Sequence, residues 1–311
     1  MRKLIIATRG SRLALWQSNH IKEILENRLN IDIELKIFKT KGDKILDTPL
    51  ALIGGKGLFT KELEDAMLRG EAHIAVHSLK DVPTNFVDGL VLGAITKRED
   101  PRDALLSQKY SSIEDLPSNA TIGTTSLRRR MQLLHIRPDL KIKDLRGNVD
   151  TRIKKLIDGE FDAIILAAAG IKRLSLTSEV KYFIPINEEK MIPAMGQAAL
   201  GIECVDDEKV LEIVKLLNDE KSMIETTVER DFVEELGGGC QVPIGVKATL
   251  MDNDDLIVRA IIGLPDGKEL LKDKLFGVKK DYKNLGKVLA KSMIEAGAKD
   301  LLRRAEDLAF K

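Results

Sequence analysis

The sequence has little cysteine, no long apolar run and almost no net charge, and each shortage argues against a class of protein. Two cysteines among 311 residues do not suggest a disulfide scaffold and predict a reducing, cytoplasmic environment. No apolar run approaches the roughly 20 residues of a membrane span, and the apolar stretch within residues 1–9 is too short for a signal peptide. The net charge of +1 leaves no general positive surface for nucleic acid.

Common ligand motifs are absent as well. The run GGKG at 54–57 lacks the longer glycine–lysine–serine pattern of a phosphate-binding P-loop, and there is no Gly-x-Gly-x-x-Gly dinucleotide signature. The four histidines have no metal-ligand spacing with one another or with the cysteines, so no metal site is predicted. A hydrophobic content of 43% and a charged fraction of 32% are typical of a soluble globular protein, and this length predicts two or three domains.

The first part of the sequence alternates strand and helix patterns. Strands are predicted over 4–8, 31–39 and 73–78 and again over 120–124, 141–145 and 162–169, with a helix over 13–28 that Ser11 caps. Further helices are predicted to open at 54–57 and at Leu127, and around Arg152. Two such βαβαβ units predict an α/β fold with parallel-rich sheets, whose ligands lie at the carboxyl ends of the strands.

The last part of the sequence has a different order of elements. A helix over 223–236, strands over 244–250, 256–264 and 272–278, and a final helix over 284–308 predict a small α+β domain. Cys204, which lies in the apolar run LGIECV, is interpreted as a buried structural thiol.

Several basic residues lie at the predicted strand ends and helix starts: Arg9, Lys56, Lys80, Arg128, Arg129 and Arg146. Arginine at a helix N-terminus opposes the helix dipole unless an anion lies over the same terminus. Any one of these residues fits a solvated surface position, but together they predict a cleft for a polyanion such as an organic polycarboxylate. Asp81 is the exception: it is either a solvated loop residue or a carboxylate that moves a proton or stabilises a developing cation.

Cys240 lies in the run GGGCQVP at 237–243, where three consecutive glycines disfavour both helix and strand. A thiol on such an open loop is accessible, as a nucleophile or a covalent attachment point must be. The alternative is that the glycines form a turn and the cysteine is incidental. The residues alone leave both interpretations open.

The sequence resembles the porphobilinogen deaminase (hydroxymethylbilane synthase) family in motifs that occur in the family's order over nearly the whole length. These are ATRGS (7–11), LALWQ (13–17), GGKGLF (54–59), VHSLKDVP (76–83), EDPRD (99–103), GTTSLRR (123–129), LRGNV (145–149), GQ (196–197) and GGGCQVPIG (237–245).

The resemblance implies two periplasmic-binding-protein-like domains, 1–97 with 198–216 and 98–197, and an α+β domain over 217–311. It implies a dipyrromethane cofactor joined to Cys240 by a thioether. On this primer the enzyme would join four porphobilinogen molecules, releasing ammonia each time, and hydrolysis would free hydroxymethylbilane. Asp81 would be the catalytic carboxylate. The expected protein is a cytoplasmic monomer that binds neither nucleic acid nor membrane.

The resemblance also implies binding residues. Those for the cofactor would be Cys240, Ser78, Lys80, Asp81, Thr125, Ser126, Arg128, Arg129, Arg146 and Gly147. Those for the substrate would be Arg9, Ser11, Lys56, Arg152, Arg173 and Gln197. Two positions depart from the family pattern, because Leu52 stands where lysine is often found and Ala198 where glycine is common.

Two functions of other classes compete with this interpretation. A non-catalytic two-lobed anion-binding protein would explain the arginines but not Cys240 or Asp81. A cysteine hydrolase would explain the thiol, but no histidine has a motif that pairs it with Cys240.

Overall fold

The structure is a computed structural model that describes residues 3–44, 59–238 and 242–309. In chain order its elements are β1 (Lys3–Arg9), α1 (Arg12–Arg28), β2 (Asp32–Phe38), α2 (Lys41–Lys44), α3 (Lys61–Leu68), β3 (Ile74–Ser78), β4 (Leu90–Ile95), β5 (Asp103–Ser107), β6 (Thr121–Gly123), α4 (Leu127–Ile136), β7 (Lys141–Lys143), α5 (Val149–Ile157), β8 (Ala163–Ala167), α6 (Ala168–Arg173), β9 (Tyr182–Pro185), β10 (Leu200–Val205), α7 (Glu208–Lys215), α8 (Glu220–Glu235), β11 (Ile244–Leu250), β12 (Asp255–Gly263), β13 (Leu270–Val278), α9 (Tyr282–Glu295) and α10 (Ala298–Ala309).

The first unit is a five-stranded sheet with the order β2-β1-β3-β10-β4 and its flanking helices. β1 is parallel to β2 and β3, whereas β10 is antiparallel to both β3 and β4. The strand cores are apolar, with Leu4, Ile6 and Ile202 fully buried, because helices cover the sheet. The parallel arrangement brings the carboxyl ends of β1 and β3 to the same edge.

The second unit is a five-stranded sheet with the order β7-β6-β8-β5-β9. β6 is parallel to β7 and β8, and β5 runs antiparallel to β8 and β9. The first two units are joined by two segments, 96–102 after β4 and 186–199 before β10. The sheet topology therefore confirms the predicted parallel-rich α/β fold, with one antiparallel strand in each sheet.

The third unit is the antiparallel sheet β11-β12-β13, against which α8, α9 and α10 pack around the fully buried Phe232. The three strands lie within a residue or two of their predicted bounds. The predicted α+β unit at the end of the chain is therefore confirmed. No helix in the described ranges has the length and apolar content that a membrane span requires.

Three predicted elements need correction, and a fourth is described only in part. The final helix is divided into α9 and α10 at Gly297, whose φ of +99° is a left-handed helix ending that glycine favours. The strand predicted over 162–169 ends at Ala167, and α6 begins at the next residue, Ala168. The segment 79–83 after β3, which the sequence predicts as a loop, begins with a single 3₁₀ turn, Leu79–Asp81. The helix predicted to open at 54–57 has its described part at Lys61–Leu68, and residues 54–57 lie outside the described ranges.

Candidate active site

A cavity of about 120 Å³ lies where the three units meet. The first unit contributes the turn after β3, the second the start of α4, and the third α8 and β11. Its lining residues are Lys80, Asp81, Ser126, Arg128, Arg129, Ala194, Met195, Gln197, Val233 and Ile244. Six of the residues predicted for the site are thus brought together from distant parts of the sequence.

The start of α4 is fixed by its own hydroxyl groups. Ser126 is the N-cap, and its Oγ accepts a hydrogen bond from the Arg129 amide. Thr124 Oγ1 accepts from the Ser126 amide at 3.2 Å, and Thr125 Oγ1 donates to the Leu145 carbonyl at 2.6 Å. These contacts hold the first helical turn, and with it Arg128, against the carboxyl ends of β6 and β7.

The anion beside this helix start belongs to the protein itself. Asp103, at the start of β5, is fully buried. Its Oδ2 accepts from Arg128 Nη1 at 2.6 Å, and its Oδ1 accepts from Arg129 Nε at 2.9 Å. Burial by itself would raise the pKa of Asp103, but the two arginines outweigh it and hold that pKa well below its usual range. Asp103 therefore anchors both arginines as a carboxylate.

Sequence reasoning missed this anchor. Asp103 lies within a quoted motif, yet no role was assigned to it. The signal was present, because two arginines in one first helical turn require an anion. An aspartate at the start of an apolar strand was a candidate for it.

Gln197 and Lys80 extend the same network. Gln197 is fully buried, and its Nε2 donates to the Pro101 carbonyl at 2.7 Å and to Asp103 Oδ1 at 3.1 Å. Its Oε1 accepts from Lys80 Nζ at 3.3 Å. Burial, and then the positive charge of Arg129, lower the pKa of Lys80 to about 8. An added anion would offset this repulsion and favour the charged lysine.

Arg152 on α5 lies close enough to interact electrostatically with Asp81, Arg129 and Arg146. Burial, and then Arg129, lower the pKa of Arg152 to about 10. Its Nε donates to the Gly147 carbonyl at 2.7 Å. Gly147 has a φ of +109°, and a Cβ there would lie 2.8 Å from Thr151 Cγ2, so the turn requires glycine.

Three other predicted residues lie outside the described cavity lining and have contacts of their own. The Arg9 guanidinium lies 4.3 Å from the centre of the Phe59 ring. Ser11 caps α1 by accepting from the Ala14 amide at 3.3 Å. Ser78 Oγ accepts from Gln17 Nε2 at 2.9 Å.

Arg173 contacts one of the segments that join the first two units. Its Nη2 donates to the Ala198 carbonyl at 2.7 Å, and its guanidinium lies 5.8 Å from the Trp16 ring centre. Burial lowers the pKa of Arg173 to about 10. Lys56 and Cys240, and the departure at Leu52, lie outside the described residues.

Cys204 has the structural role predicted for it. Cys204 is fully buried in β10, and burial raises the pKa of its thiol to about 12. A thiol that remains protonated is a poor nucleophile.

The described site is suited chemically to an organic polycarboxylate. Lys80, Arg128, Arg129 and Arg152 outnumber the two carboxylates, Asp81 and Asp103. Asp103 is committed to the arginines, whereas Asp81 is exposed at the cavity. The arrangement thus offers cations for ligand carboxylates and one accessible carboxylate for chemistry.

Known proteins and family models match nearly the whole chain. A family model described as porphobilinogen deaminase, dipyromethane cofactor binding domain, matches residues 4–212, and one described as porphobilinogen deaminase, C-terminal domain, matches 223–295. Proteins named porphobilinogen deaminase are 72% identical in a Nitratiruptor species, covering 99% of each chain, and 64% identical in Sulfurimonas denitrificans, covering 98% of each. One from Aliarcobacter butzleri is 62% identical and covers 100% of each chain.

Solved structures show a weaker similarity. The substrate binding protein of an amino acid ABC transporter has a TM-score of 0.39 at 15% identity, covering 69% of this chain and 91% of that one. A probable amino-acid ABC transporter binding protein from Bacillus subtilis has a TM-score of 0.43 at 13% identity, covering 70% of this chain and 90% of that one.

Proposed function

The chain belongs to the porphobilinogen deaminase family, and we propose that it joins four porphobilinogen molecules head to tail on a covalent dipyrromethane. Each addition releases ammonia, and a final hydrolysis frees the linear tetrapyrrole hydroxymethylbilane. The observation that carries the proposal is the exposed carboxylate of Asp81 in a cavity lined by Lys80, Arg128 and Arg129.

The residues around the cavity fit a cofactor that carries several carboxylates. Lys80, Arg128 and Arg129 would bind those groups with Arg146, and Ser78, Thr125, Ser126 and Gly147 would lie around them. Cys240 would hold the cofactor by a thioether. When bound, this group would supply the free pyrrole α-carbon to which the first unit is joined.

Asp81 acts on the substrate. Its carboxylate accepts hydrogen bonds from the aminomethyl group and the pyrrole N–H of porphobilinogen. Its negative charge stabilises the positive charge that develops on the pyrrole as ammonia leaves. Once the new carbon–carbon bond has formed, the carboxylate accepts the proton that the substituted α-carbon loses. Asp103 cannot take this part, because it is buried beneath two arginines.

The substrate's own carboxylates need further cations. We assign these charged contacts to Arg9, Lys56, Arg152 and Arg173, and a hydrogen bond from the hydroxyl group to Ser11. Gln197 has its amide group engaged with Asp103, Pro101 and Lys80. Its contribution is therefore to position Lys80.

The division into domains 1–97 with 198–216, 98–197 and 217–311 remains a proposal. It is supported by the three separate sheets and by β10, which follows the second unit in sequence but pairs in the first sheet. We also propose that the enzyme is cytoplasmic and monomeric and binds neither nucleic acid nor membrane. This proposal rests on the composition of the sequence and on its resemblance to the family.

Intact-mass measurement tests the function and separates it from the non-catalytic anion-binding alternative. We expect the purified chain to carry the added mass of one dipyrromethane, and Cys240→Ser to lose it together with activity. An unmodified chain that is fully active in making hydroxymethylbilane would refute the attachment. An unmodified chain that binds porphobilinogen without consuming it would favour the anion-binding protein.

The role of Asp81 is tested by Asp81→Ala. We expect turnover to fall by about 10²- to 10⁴-fold, the usual contribution of a positioned proton-transfer group, while the added mass and the fold are retained. Asp88→Ala is the matched control, since Asp88 is an exposed acid on the same connection. Rates near wild type for Asp81→Ala would reject its assigned role.

A further inference from the structure

Helix α8 of the third unit extends a buried arginine to the backbone that follows Asp81. Arg230 Nη1 donates to the Val82 carbonyl at 3.0 Å, and Nη2 donates to the Pro83 carbonyl at 2.6 Å. The guanidinium also lies 5.9 Å from the centre of the Phe86 ring. Arg230 is only 8% exposed. All of these contacts fall on the few residues directly after Asp81.

This contact restricts where Asp81 can lie. Asp81 ends a 3₁₀ turn in which the Val82 amide donates to the Leu79 carbonyl at 3.1 Å. Pro83 has a fixed φ, so the segment between Leu79 and Pro83 has little freedom. Because the two nitrogens of the planar guanidinium hold adjacent carbonyls, the segment is fixed in orientation as well as position. A shift of the Val82 carbonyl would therefore move Asp81.

The neighbouring residue on α8 holds the junction between the first two units. Glu229 is fully buried and accepts from Arg98 Nη1 at 2.6 Å and from the Gly196 amide at 2.7 Å. Arg98 and Gly196 lie on the two segments that join these units. The same helix ends at Glu235, five residues before Cys240 in the sequence.

We propose that Arg230 is a positioning residue for Asp81, and that α8 fixes the Asp81 segment relative to the stretch that leads to Cys240. The inference rests on the proposed function, in which Asp81 performs the chemistry and Cys240 holds the cofactor. Arg230 itself touches neither substrate nor cofactor in this account. It acts through the Val82 and Pro83 carbonyls.

Arg230→Gln tests the proposal, with Arg137→Gln as the matched control. Arg137 likewise donates to loop carbonyls, those of Ile113 and Leu116, but in a part of the second unit without predicted site residues. For Arg230→Gln we expect kcat to fall about 10- to 100-fold, as misplacement of a reacting group by about 1 Å does, with KM within about twofold of wild type. Arg137→Gln should lose comparable stability and keep its kcat.

Hydrogen–deuterium exchange supplies a measurement that does not depend on activity. Amides in residues 79–90 should exchange at least about tenfold faster in Arg230→Gln, because local opening of this segment becomes easier, and should be unchanged in Arg137→Gln. Arg230→Lys, which keeps the charge but loses the paired geometry, should fall between wild type and Arg230→Gln in both measurements. If Arg230→Gln does not fold, Arg230→Lys still tests the proposal in both measurements.

Three outcomes would overturn the positioning role: an unchanged kcat, unchanged exchange over 79–90, or an equal fall of kcat in Arg137→Gln. Failure of the proposed function is recognised separately. In that case the wild-type chain carries no added mass and makes no hydroxymethylbilane, while the exchange comparison still reports whether Arg230 holds the segment.

Discussion

Replacing Asp103 by asparagine removes the negative charge on which Arg128 and Arg129 both depend. The carboxylate is fully buried, and the two arginine side chains are only 5% and 7% exposed, so water cannot take its place. Removing one partner of a buried ion pair costs about 3–5 kcal/mol, because an uncompensated charge remains in the interior. We expect Asp103→Asn to lower the free energy of unfolding by that amount.

Urea unfolding measures this loss as a lower midpoint at an unchanged slope. Asp150→Asn is the control, because its ion pair with Arg12 has side chains 41% and 57% exposed and should contribute less than about 1 kcal/mol. A loss of less than about 1 kcal/mol for Asp103→Asn would refute the buried-anchor reasoning.

The pH dependence gives a second check. The pKa of Asp103 is lower in the folded protein than in the unfolded chain, so its stabilisation is complete above the unfolded pKa, near 4. It is lost as the pH falls through the folded pKa. The difference between wild type and Asp103→Asn should therefore stay constant from neutral pH down to about pH 5 and shrink only below about pH 4. A difference that already shrinks above pH 5 would contradict this account.

Three further predictions concern the residues around the site. Burial, and then Arg129, lower the pKa of Lys80 to about 8 when no ligand is bound. Because the cofactor's carboxylates would favour the charged lysine, kcat/KM for porphobilinogen should fall only as the pH rises above about 8. Lys80→Arg stays charged and should flatten the profile, and an identical profile would count against this role. Ala198 has a φ of +77°, which strains a residue with a Cβ, so Ala198→Gly should raise the free energy of unfolding by about 1 kcal/mol. Ala199→Gly is the control and should not raise it. A lower free energy of unfolding for Ala198→Gly would show that the strain argument is wrong. Glu229→Gln leaves Arg98 buried without its full partner and should cost about 3–5 kcal/mol in urea unfolding; near-neutral behaviour would exclude a structural role for the pair.

Local patterns predicted much of the secondary structure. The third unit's strands alternate or run apolar over lengths that match β11, β12 and β13, and the Ser126 cap follows from a serine at the start of an amphipathic segment. Such signals depend on side chains a few residues apart. The break at Gly297 was missed because the apolar period continues across it, and only the left-handed conformation ends the helix.

Strand direction could not be predicted in the same way. β5 and β10 run antiparallel to their neighbours, yet they are as apolar as the other strands of their sheets. A strand that is covered on both faces is apolar along its length whichever way it runs, so its residues do not reveal its direction. The direction of β5 and β10 is set by the connections that lead into them, and these are the two segments that cross between the first two units.

The sequence by itself determined the kinds of group that meet at the site: a cation-rich set, an isolated Asp81 and a cysteine among glycines. These are chemical identities, and they are written in the residues. Only the tertiary structure decided which groups are available to a ligand. Asp103 and Gln197 are occupied by the arginines and by Lys80, whereas Asp81 remains exposed. The physical reason is that burial and hydrogen-bond partners come from residues far apart in the chain. Arg230, for example, binds the Val82 carbonyl beside Asp81, although the two residues are 148 positions apart in the sequence.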